Sequence, residues 1–84
     1  MNTTFNQTKT WDRNAWLKFR KHVGKNLKAC RKAQDLTLED LAEVSGYSVE
    51  TILKFERGKG APNLPMIFHL TRILKIPTDM IFRV

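Results

Sequence analysis

The 84-residue sequence has little of what builds disulfide scaffolds or membrane spans. Its single cysteine, Cys30, excludes an internal disulfide and is typical of proteins in a reducing cytosol. No apolar run approaches the roughly 20 residues that cross a bilayer, which argues against a membrane partner. The opening stretch MNTTFNQTKT lacks the apolar core of a signal peptide. The length suits one domain, so we expect a single cytoplasmic domain.

Acidic residues are also scarce. Fifteen Lys and Arg stand against eight Asp and Glu, and the resulting net charge of +7 favours an anionic partner such as nucleic acid. The charge is unevenly distributed. Residues 1–32 hold nine bases and one acid (+8), residues 33–56 one base and six acids (−5), and residues 57–84 five bases and one acid (+4). The acidic middle counts against binding by charge alone.

The spacing of apolar residues predicts helices and no strands. One apolar stripe recurs at helical intervals and predicts a first helix over residues 12–33: Trp16, Phe19, Val23, Leu27 and Cys30. The solvent side of this helix is predicted to carry five lysines: Lys18, Lys21, Lys25, Lys28 and Lys32. Gly24 lies inside the predicted helix, and a glycine at such a position can break or bend a helix.

Turn and capping residues divide the chain after this helix. Asp35 tolerates the left-handed backbone that a reversal requires at this point. Thr37 and Asp40 have the pattern of a capping box and start a second helix over residues 38–44. This helix is predicted to bury two side chains, Leu41 and Val44.

A tight turn and two further helices are predicted beyond residue 45. Gly46 is free to take positive φ, and Ser48 caps a third helix over residues 49–57, which Gly58 ends. The buried side chains predicted for this helix are Ile52 and Phe55. Asn63 caps a fourth helix that Pro77 stops, and residues 78–82 form a last short turn. The fourth helix is predicted to bury Ile67, Leu70, Ile73 and Leu74.

Nothing in the sequence favours catalysis, a metal or a cofactor. His22, His69 and Cys30 lack the spacing of metal ligands, and no His or acid is placed to activate the thiol. Gly58 and Gly60 do not make a phosphate loop, because no Gly-Lys-Ser/Thr follows them. We therefore expect neither an enzyme nor a cofactor-binding protein.

The segment from Leu36 to Gly58 reads as two short helices joined by a tight turn and ending in Glu-Arg-Gly. Other residues along the chain belong to the same pattern, in this order: Leu27, Arg31, Thr37, Leu41, Ala42, Gly46, Ser48, Ile52, Pro62, Leu74 and the ending Ile76 to Phe82. This pattern resembles the phage-repressor, Cro-like (XRE-type) helix-turn-helix family of DNA-binding proteins. The resemblance covers about residues 23–82.

The resemblance implies an all-α fold, a compact, lambda-repressor-like bundle of five helices. The apolar spacing adds an N-terminally extended first helix, because residues 1–18 lie outside the family pattern. It implies one DNA-binding domain over residues 11–84, with the motif at about 38–57, after a tail of residues 1–10 that composition predicts to be disordered. Members commonly form homodimers and act on transcription. An apolar C-terminal group is the expected dimer contact: Ile76, Met80, Ile81, Phe82 and Val84.

The resemblance also implies DNA-contact and structural roles for individual residues. Four residues match positions whose side chains face bases: Val49, Glu50, Thr51 and Lys54. Four match positions that contact phosphates: Thr37, Ser48, Arg57 and Lys59. Arg31 and Glu56 match a buried structural ion pair. Leu38 stands where the family often has Gln, and we expect it to contact Val49 through an apolar surface.

Two functions remain open. The first is a double-stranded DNA-binding transcriptional regulator, expected to be a repressor, that places the third helix in the major groove. The second is a protein-interaction module on the same fold, such as an antitoxin or accessory factor that binds a partner through residues 1–18. Glu50 is as well explained by a solvated charge as by base contact. Trp11 and Trp16 suit either an interaction surface or packing on their own core.

Overall fold

The structure, a computed structural model, describes residues 11–60 and 63–83. These residues form five helices, named here α1 (Arg13–Ala33), α2 (Leu38–Ser45), α3 (Val49–Glu56), α4 (Leu64–Leu74) and α5 (Thr78–Ile81). No strand occurs within these two ranges. The predicted all-α, five-helix fold with a long first helix is therefore confirmed, whereas the predicted disordered tail over residues 1–10 lies outside the described residues.

The helix α1 begins where Asp12 caps it and runs unbroken for 21 residues. The Asp12 carboxylate accepts the backbone N–H of Ala15 at 3.0 Å. Gly24 does not break the helix, which continues through this residue. Gly24 is instead buried where α1 crosses the end of α3, and a Cβ there would lie 2.7 Å from the carbonyl oxygen of Glu56. The glycine allows two helices to approach closely.

The predicted turns and caps are confirmed. Asp35 adopts the left-handed conformation at φ 58°, and Gly46 does so at φ 82°. Thr37 and Asp40 form a complete capping box, in which each side chain accepts the backbone N–H of the other residue. Ser48 caps α3 by accepting the backbone N–H of the residue three positions on. These local bonds define where α2 and α3 begin.

One apolar core lies between the helices. Helix α1 packs against α3 and α5, α2 packs against α3 and α4, and α4 also contacts α5. The core consists of ten buried apolar side chains: Val23, Leu27, Leu41, Ile52, Phe55, Met66, Ile67, Leu70, Leu74 and Ile81. Of the four apolar residues predicted to be buried in α4, only Ile73 is partly exposed. Every described helix contributes to this single core.

The predicted burial of Val44 is wrong, since 61% of this residue is exposed. At 3.6 residues per turn, Leu38, Leu41 and Ala42 share one face of α2, and Val44 points about 110° away from the centre of that face. Leu41 is completely buried, and the other two residues pack partly against the core.

Side-chain amides join α1 to the end of the described chain. Asn26 donates from Nδ2 to the carbonyl oxygens of Ile81 at 3.0 Å and Arg83 at 2.6 Å. The Phe19 and Phe82 rings stack beside this contact, with centroids 6.0 Å apart. The last described residues are thus held against α1.

Candidate nucleic-acid interface

The helix α3 has one buried face and one solvent-facing face. Three of its residues point inward and are buried: Ile52, Phe55 and Glu56. Three of the four predicted base-reading residues point outward and are exposed: Glu50, Thr51 and Lys54. The helix ends one residue earlier than predicted, with Arg57 as its C-cap. The outer face is free to contact a ligand without disturbing the core.

Val49, the fourth predicted base-reading residue, is half-buried at the first position of α3. Leu38 is also half-buried and packs against the core. The apolar contact predicted between these two residues stays a prediction.

The two capping hydroxyls predicted to contact phosphates are exposed but already bonded. Thr37 Oγ1 accepts the backbone N–H of Asp40 at 3.0 Å. Ser48 Oγ accepts the backbone N–H of Thr51 at 3.1 Å and donates to Thr51 Oγ1 at 2.9 Å. The Ser48 hydroxyl would have to rotate away from Thr51 Oγ1 in order to donate to a phosphate oxygen. This rotation would leave Thr51 Oγ1 without the hydrogen bond that it accepts from Ser48.

The capping box also sets the charge at the start of α2. The backbone N–H of Thr37, and then its hydroxyl, hold the pKa of the Asp40 carboxyl below its ordinary value. Asp40 therefore stays ionised at neutral pH and complements the positive end of the helix dipole.

A buried ion pair fixes α3 to α1. Arg31 Nε and Nη2 donate to the two carboxylate oxygens of Glu56 at 2.7 and 3.0 Å, and the side chains are only 6% and 2% exposed. Arg31 Nη1 also donates to the carbonyl oxygen of Leu36 at 2.6 Å. The hydrogen bond to Glu56 holds the pKa of the Arg31 guanidinium above its ordinary value, although burial acts in the opposite direction. The predicted pair is present, and it ties both ends of the helix-turn-helix to α1.

Arg20 was missed as a functional residue in the sequence. Its Nε donates to the carbonyl oxygen of Gly58 and its Nη1 to that of Gly60, both at 2.6 Å. These bonds hold the loop after α3 against α1. The partners lie about 40 residues apart in the chain, and no local pattern marks such a pairing.

The end of α3 and the following loop carry the remaining predicted phosphate contacts. Arg57 and Lys59 are both exposed. Together with Glu50, Leu53 and Lys54 they line a shallow groove along the outer face of α3. Three cations and one carboxylate therefore lie side by side, and a polyanion can bind there if Glu50 points to a base rather than a phosphate.

The predicted dimer contact needs correction at one residue. Ile81 is 1% exposed because it fills the core of its own chain, and it cannot form a surface contact. Ile76 and Phe82 are half-buried and Met80 is 41% exposed. Val84 lies outside the described residues.

The aromatic residues at the start of α1 form a row rather than a packed core. The Trp11 and Trp16 rings have centroids 6.1 Å apart, and Trp16 lies 6.2 Å from Phe19. Trp11 is 71% exposed, so packing on the chain's own core does not explain it. Trp16 is half-buried.

Two other kinds of site are absent from residues 11–60 and 63–83. No three metal-ligating side chains come together in these ranges. None of the described helices has both the length and the apolar character needed to cross a membrane.

Comparison with known proteins decides the family. A Helix-turn-helix family model, HTH_3, matches residues 27–81, which include the candidate interface and every core residue except Val23. This chain belongs to the HTH_3 helix-turn-helix family. It is accordingly a DNA-binding domain of the class found in transcription regulators, which confirms the Cro-like resemblance.

Two curated relatives are named transcriptional regulators. The HTH-type transcriptional regulator RghRB of Bacillus subtilis is 44% identical over 57 residues, which are 67% of this chain and 41% of that protein. An HTH-type transcriptional regulator of Methanocaldococcus jannaschii is 38% identical over 56 residues, which are 67% of this chain and 85% of that protein. The chain thus spans about two fifths of the first relative and most of the second.

Solved structures agree with the helix-turn-helix fold. The restriction-modification controller protein C.AhdI from Aeromonas hydrophila has a TM-score of 0.70 at 31% identity, covering 74% of this chain and 94% of that one. The DNA-binding domain of BldD has a TM-score of 0.73 at 24% identity, covering 79% and 96%. The BldD likeness concerns the fold alone.

Proposed function

We propose that this protein is a cytoplasmic, sequence-specific binder of double-stranded DNA that represses transcription by placing α3 in the major groove. The observation that carries the proposal is the outer face of α3, where Thr51 and Lys54 are exposed while the opposite face is buried. A major groove about 12 Å wide accepts a helix of this kind. The family assignment supports DNA as the partner.

The exposed residues of α3 differ in what they can recognise. Lys54 can donate to guanine O6 or N7, and the Thr51 methyl can contact a thymine methyl. Glu50 can accept from cytosine N4. Val49 offers a further apolar contact at the start of the helix. Recognition then depends on few side chains, and each should specify one base pair.

Phosphate contacts would fix the register of α3. Thr37 and Ser48 lie at the N-termini of α2 and α3, where backbone N–H groups favour anions. Arg57 and Lys59 lie at the other end of α3. Contacts at both ends of the helix would hold it against two stretches of backbone. The Arg31–Glu56 pair keeps α3 in this position but touches no DNA.

The first test is selection from genomic fragments, followed by titration at roughly 50 and 200 mM salt. A short inverted repeat bound at the higher salt is expected. Lys54→Ala should weaken that binding by about 1–3 kcal/mol and relax specificity at one base pair. Lys25→Ala removes an equal charge from the exposed side of α1 and should have little effect. Equal binding of all fragments by the parent would refute the proposal.

Repression needs a separate test, since binding alone does not give its sign. A reporter with the selected site over its promoter should lose expression when the protein is supplied. The Lys54→Ala variant should restore expression at equal protein abundance. An increase in expression with the parent would instead make it an activator.

We also propose a homodimer, so that two copies bind the two halves of an inverted repeat. Met80 is the exposed centre of the contact, and the half-buried Ile76 and Phe82 lie at its border. Met80→Glu should give a monomer in light scattering at tens of micromolar protein. Phe68→Glu, at another exposed apolar residue, should remain a dimer. A monomeric parent bound one-to-one to a half-site would refute the dimer.

A protein contact through the N-terminal extension is a second candidate function. The observation that favours it is the exposure of Trp11, just before α1. Affinity capture with the parent should then retain one stoichiometric partner that a Trp11→Ala variant loses. Equal capture by both proteins would remove this candidate.

A further inference from the structure

A second basic groove lies between α1 and the loop that follows α3. Its wall on α1 carries Lys18 and Lys21, and its wall on the loop carries Arg57 and Lys59. Lys18 and Lys21 are three residues apart and therefore share one helix face. No acid is found among the described residues that line this groove. Arg20 also lines the groove, so five cations from two distant parts of the chain lie along it.

The two walls of this groove are held together tightly. Arg20 donates to the carbonyl oxygens of Gly58 and Gly60, which fixes the loop to α1. Gly58 is buried, and a Cβ at this position would lie 2.8 Å from Cα of Lys21. The backbone on both sides of the groove is therefore fixed. A preorganised backbone loses little conformational entropy when an anion binds.

The groove is continuous with the candidate DNA interface. Arg57 and Lys59 line both this groove and the one along the outer face of α3. A DNA strand that follows α3 and contacts Arg57 and Lys59 is therefore directed past Lys18 and Lys21. The continuity favours a polyanion that spans both grooves over a small anion that fills only one.

We propose that this basic groove, with Lys18 and Lys21, binds backbone phosphates of the same DNA beyond those contacted by α3. The proposal rests on the proposed function, and it assigns a role to the N-terminal extension of α1. Both lysines lie outside the residues 27–81 that match the family model. The proposal also explains how a chain with an acidic middle can bind DNA. The fold brings basic residues of segment 1–32 next to the acidic segment 33–56, which contains α3.

The test compares two double variants of the full chain. Lys18→Gln/Lys21→Gln neutralises the groove and keeps the aliphatic part of Lys21 that packs on Gly58. Lys25→Gln/Lys28→Gln removes the same charge from exposed positions of α1 outside the groove. Each variant is titrated on the selected duplex and on a random 30-base-pair duplex at about 50 and 200 mM salt. Melting temperatures check that both variants fold.

Loss of two phosphate contacts should make the salt slope shallower by about 1.8 on both duplexes. The affinity deficit of the groove variant should then be about tenfold larger at the lower salt than at the higher. The control variant should change the slope much less. Equal slopes for the two variants, or a groove variant that matches the parent, would overturn the proposal.

The two proposals fail in different ways. If the parent binds both duplexes equally, sequence-specific recognition by α3 is refuted, while the slope on the random duplex still decides the groove. If Lys54→Ala weakens binding to the selected duplex but the groove variant does not, recognition stands and the groove is refuted. If the parent binds neither duplex at 50 mM salt, both proposals are refuted.

Discussion

The replacement of Gly24 with alanine has two effects on stability, and these effects have opposite signs. Alanine is the better helix former by about 1 kcal/mol, so a sequence-based argument predicts that Gly24→Ala stabilises α1. Steric contact predicts the reverse. The added Cβ would lie 2.7 Å from the carbonyl oxygen of Glu56 and 2.9 Å from its carbonyl carbon, and the Phe55 carbonyl oxygen is closer still.

The steric effect should exceed the helix-propensity gain. All three neighbouring atoms belong to the backbone, so no side chain can rotate away, and α1 must move from the end of α3. Overpacking of this kind typically costs about 1–3 kcal/mol, and we expect the upper end because the obstacle is backbone. After the propensity gain, the net loss should be about 2 kcal/mol, or roughly 8–16 °C in melting temperature.

Thermal melting followed by circular dichroism measures this difference directly. Ala29→Gly is the matched control, because Ala29 is exposed on the same helix and reports the propensity effect alone. It should lower stability by about 1 kcal/mol. If Gly24→Ala melts at or above the parent temperature, the close approach of α1 to α3 is wrong.

Two further substitutions test other parts of the fold. Glu56→Ala should lower stability by about 3 kcal/mol in chemical denaturation, because Arg31 is left buried without a partner. Glu50→Ala, on the outer face of α3, should change stability little, and equal losses would refute the buried pair. Asp40→Asn should reduce the acid sensitivity of folding. The pKa of Asp40 is lowered in the folded state, so its stabilisation is present above about pH 4 and is lost as pH falls through the folded-state pKa. If Asp40→Asn unfolds in acid at the same pH as the parent, the hydrogen bonds from Thr37 to Asp40 do not contribute to acid sensitivity.

The features predictable from sequence were those decided within a few residues. The capping box of Thr37 and Asp40 depends on a spacing of three, and it is present as predicted. Asp35 and Gly46 take the left-handed backbone because a reversal is needed where the periodic pattern stops. The predicted bounds of α1, α2, α3 and α5 each differ from the observed bounds by one residue at one end only. These features are local, so a single sequence contains the information.

The features that were missed depend on which helices meet. Gly24 looked like a weak point because its neighbour across the core lies about 30 residues away. Arg20 looked like one more cation of the basic first helix, although its partners are backbone carbonyls in a distant loop. Val44 was expected inside together with Leu41, yet 61% of it is exposed and none of the described helices covers it. Periodicity gives the face of a helix but not the position of its neighbours.

The division of α3 into two faces has a consequence for how such proteins diverge. Glu50, Thr51 and Lys54 are exposed, whereas Ile52 and Phe55 on the same eight-residue helix are buried. Substitutions on the outer face can therefore accumulate without a loss of stability that selection would remove. If α3 reads DNA, descendants of one domain can acquire new operators while the scaffold remains unchanged.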